Sequence, residues 1–575
     1  MGKVIHDYMK SRLWQVLLLL VLQCVQAALM LYLPNLNADI INEGVASGQE
    51  SQIWHYGWQM LGLSVIQVIV AIAATWSASR VATDIAYELR RDYFGAVEQF
   101  SLQEVEHFSA GSLITRATND VQQVQMMLFQ GLNIVLQAPI MFIGGIILAS
   151  RQDGPLTWTL AVIIPIIIIV AGALMGTMGP LFKKLQARLD TLNLIIREQI
   201  TGVRVIRAFT REATEAQRFG EANDRMRTVM VAVGRLMSLM MPLMMLIMNI
   251  SNIAIMWFGA HRIDSGGMPI GNLQAFIQYL MMILISLMMA SMMMVMLPRA
   301  VVSAKRVVEV RDTPCAIQAP EQPYHPTDPK GVIEFKHVSF QYPGAQDPVL
   351  DDLSFTIAPG TTTAIIGSTG SGKSSIIRVA QRMFDVSQGQ VLVDGHDVRE
   401  YDPHELASLF GTVPQRSLLF SGTIASNLKF GNPHATEEDM WQALRIAQAE
   451  DFVRELPEGL DAPVAQGGTN FSGGQRQRLC IARAIMRKPA VFTFDDSFSA
   501  LDFATDKALR TALKPITRQT SVIIVAQRIS TVMDADTIIV MDNGRMVGIG
   551  KHQELLANCP TYRQIADSQL NQEEQ

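Results

Sequence analysis

The residues best suited to chemistry run from Gly367 through Ser368, Thr369, Gly370, Ser371, Gly372, Lys373 and Ser374 to Ser375. Glycines at this spacing let successive backbone N–H groups close around an anion, and a helix beginning at the end of the loop turns its positive pole toward it. The expected ligand is a chain of phosphates. Lys373 would neutralise charge, and the Ser374 hydroxyl would ligate Mg²⁺. The apolar run Thr363 to Ile366 ahead of the loop and the helical Ser375-Ile-Ile-Arg after it supply the strand, loop and helix that this motif requires. Downstream, Phe471-Ser472-Gly473-Gly474-Gln475 opens a helix, and Val491-Phe-Thr-Phe reads as a buried strand that delivers Asp495, a carboxylate suited to a metal. Ser499-Ala-Leu-Asp502 follows.

Two kinds of element must carry these residues. From Val332 onward, β-type runs alternate with amphipathic helices, the pattern of an α/β domain. Ahead of Pro298 the chain is of another kind. Six stretches there contain no charge: Trp14 to Leu33, Trp58 to Ser79, Gly131 to Ser150, Leu156 to Met178, Leu236 to Ala260 and Ala275 to Leu297. Each is long enough to cross about 30 Å of hydrocarbon as a helix of about 20 residues, so the lipid bilayer is the expected solvent. Basic residues crowd the segment from Arg80 to Gln130 and the one that carries Lys183, Lys184 and Arg188 to Arg235, whereas Pro34 to Gly57 has none. By the positive-inside bias, both termini and the phosphate loop are expected in the cytoplasm. Five prolines between Asp312 and Lys330 mark a stiff linker. The expected domains are therefore a six-span membrane domain at 1–311, a Pro-rich linker at 312–331 and a nucleotide-binding domain at 332–575.

The ordered motifs together resemble the ATP-binding cassette (ABC) family. The implied fold is an all-α six-helix membrane domain like that of type I ABC exporters, followed by an α/β P-loop NTPase domain, with ATP and Mg²⁺ as cofactors. In that family two cassettes meet head to tail. The resemblance makes Tyr342 an adenine-stacking ring, although a Tyr before Pro-Gly is also an ordinary turn-flanking aromatic. It places Mg²⁺ near Ser374, Gln415 and Asp495, assigns Asp502 to the dimer seam, and has Ser472, Gly473, Gly474 and Gln475 cap the γ-phosphate bound by a partner. It also implies that the two long cytoplasmic segments, around Arg116-Ala-Thr-Asn-Asp120-Val and Glu198 to Phe209, form intracellular loops whose short transverse helices dock on cassettes. On charge pattern alone, solvated helices would serve.

The departures from the family pattern are informative. Asp496 stands where the family has a Glu that polarises the attacking water, and it is shorter by one C–C bond, about 1.5 Å. Gln527 stands where the family usually has a His, and an amide can neither carry positive charge nor titrate near neutrality. Gln466 replaces a common Glu. Two departures at one composite site suggest the degenerate half of a heterodimeric multidrug exporter in the plasma membrane, whose partner half-transporter supplies a competent Glu and His. Peptide or lipid export, or a regulatory ATP-binding subunit, are the alternatives. Nearly half of the 33 methionines lie in the last two spans and their connection, among them Met240, Met244, Met248, Met288 and Met289. Flexible thioethers suit hydrophobic small-molecule cargo, and equally suit ordinary helix packing. Asn249 and Asn252 within a span point to a cavity or to protein. Four cysteines without metal spacing argue for neither disulfides nor redox work, and a net charge of −5 gives no reason to invoke nucleic acid.

Overall fold

The computed structural model describes residues 2–573. Among the described residues, six helices are long and apolar enough to cross a membrane, and the six charge-free stretches lie on successive long helices. Length explains their reach. Helix Glu50–Glu98 has 49 residues, about 74 Å at 1.5 Å per residue, more than twice a hydrocarbon core of about 30 Å. Pro34, Pro139, Pro165, Pro180, Pro242 and Pro298 all lie inside helices of this unit. Membrane helices tolerate such breaks because neighbouring helices and side chains take up the freed backbone groups.

Trp14, Trp58, Ile69, Ile72, Trp76, Ile169, Ile253 and Trp257 face outward on the spanning helices, as lipid-facing side chains should. Inward, Ala27, Leu31, Met141, Ile255, Phe276, Tyr279 and Ile283 form one core. Small residues set its spacing: a Cβ on Gly145 would lie 2.8 Å from Ile283 Cγ1, so these two helices approach closely only because that side chain is absent. Gln23 Nε2 donates to Asn133 Oδ1 at 3.0 Å, and the Tyr279 hydroxyl donates to the Leu31 carbonyl at 2.9 Å. Both bonds satisfy polar groups that lipid could not.

The chain divides into two compact units. One takes the residues up to Ala96 and Gly111–Asp312; the other takes Val97–Ala110 together with the chain from Thr313 onward. In the first long segment between spans the short helix is Leu102–Phe108, while the Arg116–Asp120 stretch continues the helix leading into the third span. The reason is local chemistry. Ser101 and Glu104 form a reciprocal capping box that starts the helix, and Ser109, at φ 62°, ends it. In the second segment the short helix is Val203–Ala208, which has no side-chain cap and no buried residue.

In the second unit, six strands lie side by side in the order Arg545–Gly550, Thr537–Asp542, Thr362–Gly367, Ser521–Val525, Val491–Asp495 and Phe410–Val413. All neighbours are parallel except the Arg545–Gly550 edge. The central strands are buried along most of their length, with Ser521–Val525 buried throughout, which matches a parallel sheet covered on both faces. A four-stranded antiparallel sheet, led by Ile333–Phe340 and Leu350–Ile357, forms a second layer.

Candidate functional site

Strand register brings the expected residues to one edge. Val525 lies opposite Asp495 on one side and Ile365 on the other, and Val413 opposite Phe494. The phosphate loop, Gln415, Asp495 with Asp496, and Gln527 therefore leave the carboxyl ends of four adjacent parallel strands. That edge is where open α/β sheets bind ligands. Ser497 Oγ donates to the Val413 carbonyl at 2.9 Å and locks two of these ends together.

The phosphate loop is nearly bare backbone. Gly370 and Gly372 adopt φ of 85° and 95°, a region glycine enters without strain, and nothing would meet a Cβ on Gly370. Gly367 packs so closely that a Cβ would fall 2.1 Å from the Met541 carbonyl oxygen. Helix Lys373–Ala380 starts here, and its first N–H groups have no partner within it. Lys373 is buried, and its Nζ donates to the carbonyls of Gly367 and Ser368 at 2.9 and 2.7 Å. Burial pushes its pKa down, opposed by the charges of Asp496 and Asp495. The Ser371 hydroxyl is buried without a hydrogen-bond partner among the described residues. An orphaned donor, open N–H groups and a buried lysine held at the loop fit a polyphosphate. Ser374 Oγ donates to Asp495 Oδ1 at 2.8 Å, so hydroxyl and carboxylate converge as Mg²⁺ ligation needs. When bound, the nucleotide supplies the phosphate and its metal supplies charge neutralisation; this chain's residues hold and orient them.

Asp496 sits beside this pair. Its backbone is left-handed, φ 49°, a conformation that Asp tolerates better than most residues. Burial, reinforced by the neighbouring Asp495 charge, holds its carboxyl above the usual carboxylate range, while a hydrogen bond with Gln415 and the charge of Lys373 act against the shift. Gln527 Nε2 donates to Asp496 Oδ2 at 3.2 Å. The two departures from the family pattern are thus in direct contact. Gln569, from the helix Pro560–Glu573, braces the loop beyond by bonding the Gln527 carbonyl and the Ile529 N–H, both at 2.8 Å. Nothing in the sequence motifs pointed to Gln569.

Tyr342 lies against the start of the same helix, its hydroxyl 3.0 Å from Ser375 Oγ. Ser368 and Thr369 are exposed on the loop. Ser472 caps the helix Gly473–Met486 and closes a capping box with Gln475, while Gly474 lies beside the Ala500 carbonyl. Among the described residues no hydrogen bond joins Ser472, Gly473, Gly474 or Gln475 to the phosphate loop. Ser472 and Gly473 are exposed, so within one chain the two halves of the expected site stay apart. Asp502 caps the helix Phe503–Leu513 through the Thr505 N–H at 2.9 Å, and bonds from Thr505 hold its carboxyl below the usual range.

The family profile described as the ABC transporter transmembrane region matches residues 16–288, and that of the ABC transporter matches 350–499. An uncharacterized ABC transporter ATP-binding protein of Mycobacterium tuberculosis is 47% identical, covering 96% of each chain. The chain belongs to the ABC transporter family. It is an ATP-driven membrane transporter, and its family places the nucleotide-binding domain in the cytoplasm and works as dimers. A similar protein of Bacillus subtilis, also an uncharacterized ABC transporter ATP-binding protein, is 36% identical over 96% of each chain. A fatty acid ABC transporter ATP-binding/permease protein of Mycobacterium tuberculosis is 30% identical over 88% of this chain and 80% of its own. The fold matches a bacterial Atm1-family ABC exporter solved with ATP bound, with a TM-score of 0.79 at 23% identity, covering 98% of each chain.

Proposed function

We propose that this ABC transporter chain is the degenerate half of a heterodimeric exporter of hydrophobic or amphipathic compounds. It binds Mg–ATP at its own phosphate loop but hydrolyses it poorly, while its Ser472 to Gln475 segment completes the competent site of a partner carrying Glu and His. The observation that carries this reading is the contact of Gln527 with Asp496 at 3.2 Å. A carboxylate about 1.5 Å short of reach is paired with an amide, beside a binding apparatus that retains Tyr342, Lys373, Ser374, Gln415 and Asp495. A misplacement of about 1 Å can cost on the order of a hundredfold in rate. Both termini lie in the cytoplasm, on the face where Arg and Lys gather, and the membrane is the plasma membrane.

The name of the fatty acid transporter relative favours a lipid as the second choice of cargo. The deciding experiment is to assay ATP hydrolysis by the purified chain alone and with its co-expressed partner. Slow turnover alone and fast turnover in the pair are expected. A fast homodimer with ordinary Mg²⁺ dependence overturns the division of labour.

A further inference from the structure

We propose that Arg378 is a positioning residue that links the seat of the Leu102–Phe108 helix to the orientation of Tyr342. The proposal rests on reading Tyr342 as the adenine platform. Arg378 lies one turn beyond Ser375 on the helix that starts at the phosphate loop, so both side chains share a face. Both reach the same hydroxyl: Arg378 Nη1 donates to the Tyr342 oxygen at 3.0 Å, and Ser375 Oγ lies at 3.0 Å from it. The guanidinium carbon lies 5.9 Å from the centre of the Tyr342 ring. Phe340 and Phe384 meet that ring edge-on, with centroids at 4.7 and 5.2 Å. The hydroxyl contacts therefore decide how the ring is turned within its aromatic seat.

The same nitrogen also faces the Leu102–Phe108 helix. Arg378 Nη1 is 3.9 Å from Glu106 Oε1, and among the described residues Glu106 is the carboxylate within ion-pair distance of it. Glu106 is held in place by its neighbours. Leu102 packs against the core that Tyr342 also lines, and buried Glu104, besides closing the cap, accepts from the Ala316 N–H at 3.2 Å. A half-exposed pair at 3.9 Å is weak and salt-screened, which suits a contact made and released as the helix shifts rather than a permanent clamp. Tightening at Glu106 draws the guanidinium toward that short helix and changes its hold on the Tyr342 hydroxyl. By reciprocity, adenine bound on Tyr342 must then favour one seat of the short helix.

The test uses the full-length purified chain with two probes, ATP and inorganic tripolyphosphate, the second lacking a base. Arg378→Lys keeps the charge but loses the planar guanidinium that holds Nη1 between both partners. Tyr342→Ala should weaken ATP binding about tenfold, the scale of a lost base stack, and leave tripolyphosphate unchanged, which also reports an intact fold. Arg378→Lys should weaken ATP about fivefold and Glu106→Gln about threefold, again without touching tripolyphosphate, on the scale of a shared hydrogen-bond network. In the Arg378→Lys background, Glu106→Gln should have no further effect. If Tyr342→Ala weakens ATP while Arg378→Lys and Glu106→Gln do not, or if their effects simply add, the link is overturned and the adenine platform stands. If Tyr342→Ala itself leaves ATP binding unchanged, the platform and the link fall together.

Discussion

The phosphate loop and the Asp496 corner leave the same sheet at the same edge, yet they are built differently. The loop works through backbone: glycines with positive φ, the open N–H groups of a helix start, and a buried lysine bonded at 2.9 and 2.7 Å to carbonyls of its own loop. The corner works through two side-chain tips, joined by one 3.2 Å bond. Binding is therefore distributed over a fold that must stay intact to exist at all. On the proposed reading, hydrolysis hangs on the reach of one carboxylate and the charge of one ring, and both can be lost without disturbing a single strand. Likeness of fold is blind to that second kind of change.

The comparison breaks most sharply at Gly474, half-buried beside the Ala500 carbonyl. Gly474→Asp should place bulk and negative charge against the partner's γ-phosphate and lower hydrolysis by the assembled pair about a hundredfold or more, the scale of lost transition-state donors. Tolerance of that change would mean that this segment caps no working site. Lys373→Ala should raise the Kd for ATP about thirtyfold, as loss of a charged hydrogen-bonding partner does, and slow the partner's turnover without taking part in its chemistry. Titration with ATP before and after pairing checks both effects.

Repair of the corner should act only there. Asp496→Glu combined with Gln527→His should raise hydrolysis by the chain alone about tenfold or more, while Asp496→Ala should change turnover of the pair by less than about threefold. If Asp496→Ala abolished turnover, the corner would be the working one. The smallest effect concerns pH. The Asp496 pKa lies above its ordinary value of 3.8 because of burial and Asp495. Its contribution to stability is therefore complete below 3.8 and is lost as pH rises through the raised value. Asp496→Asn should accordingly raise Tm at neutral pH by about 1–2 °C, and the gain should vanish as pH falls toward 3.8. Melting curves of both chains across that window settle the sign.

Sequence was most legible where function is local. The phosphate loop, the Ser-Gly-Gly-Gln segment and Asp495 each declare themselves within a few residues, and the six spans follow from composition, because lipid forces an apolar run to be long. The Arg116 to Asp120 stretch that resembles an intracellular loop continues a long helix, and the short helix lies ahead of it at Leu102–Phe108, where Ser101 and Glu104 carry the start signal of a capping box. Arg378 and Gln569 were invisible for another reason. Their meaning lies in Tyr342, Glu106 and the loop at Gln527, which are far away in sequence, and no local pattern encodes such a meeting. Cargo stays illegible because methionine serves packing and binding alike.

The grouping of Val97–Ala110 with the chain from Thr313 onward sets an order of events during synthesis. About 200 residues separate the two pieces, which at about 5–20 residues per second is roughly 10–40 s of translation. Throughout that interval Glu104 waits for the Ala316 N–H and Leu102 for its core, while the spans on either side are already threading into lipid. The nascent chain thus carries an unfinished surface on the Val97–Ala110 segment until the chain from Thr313 onward has been made.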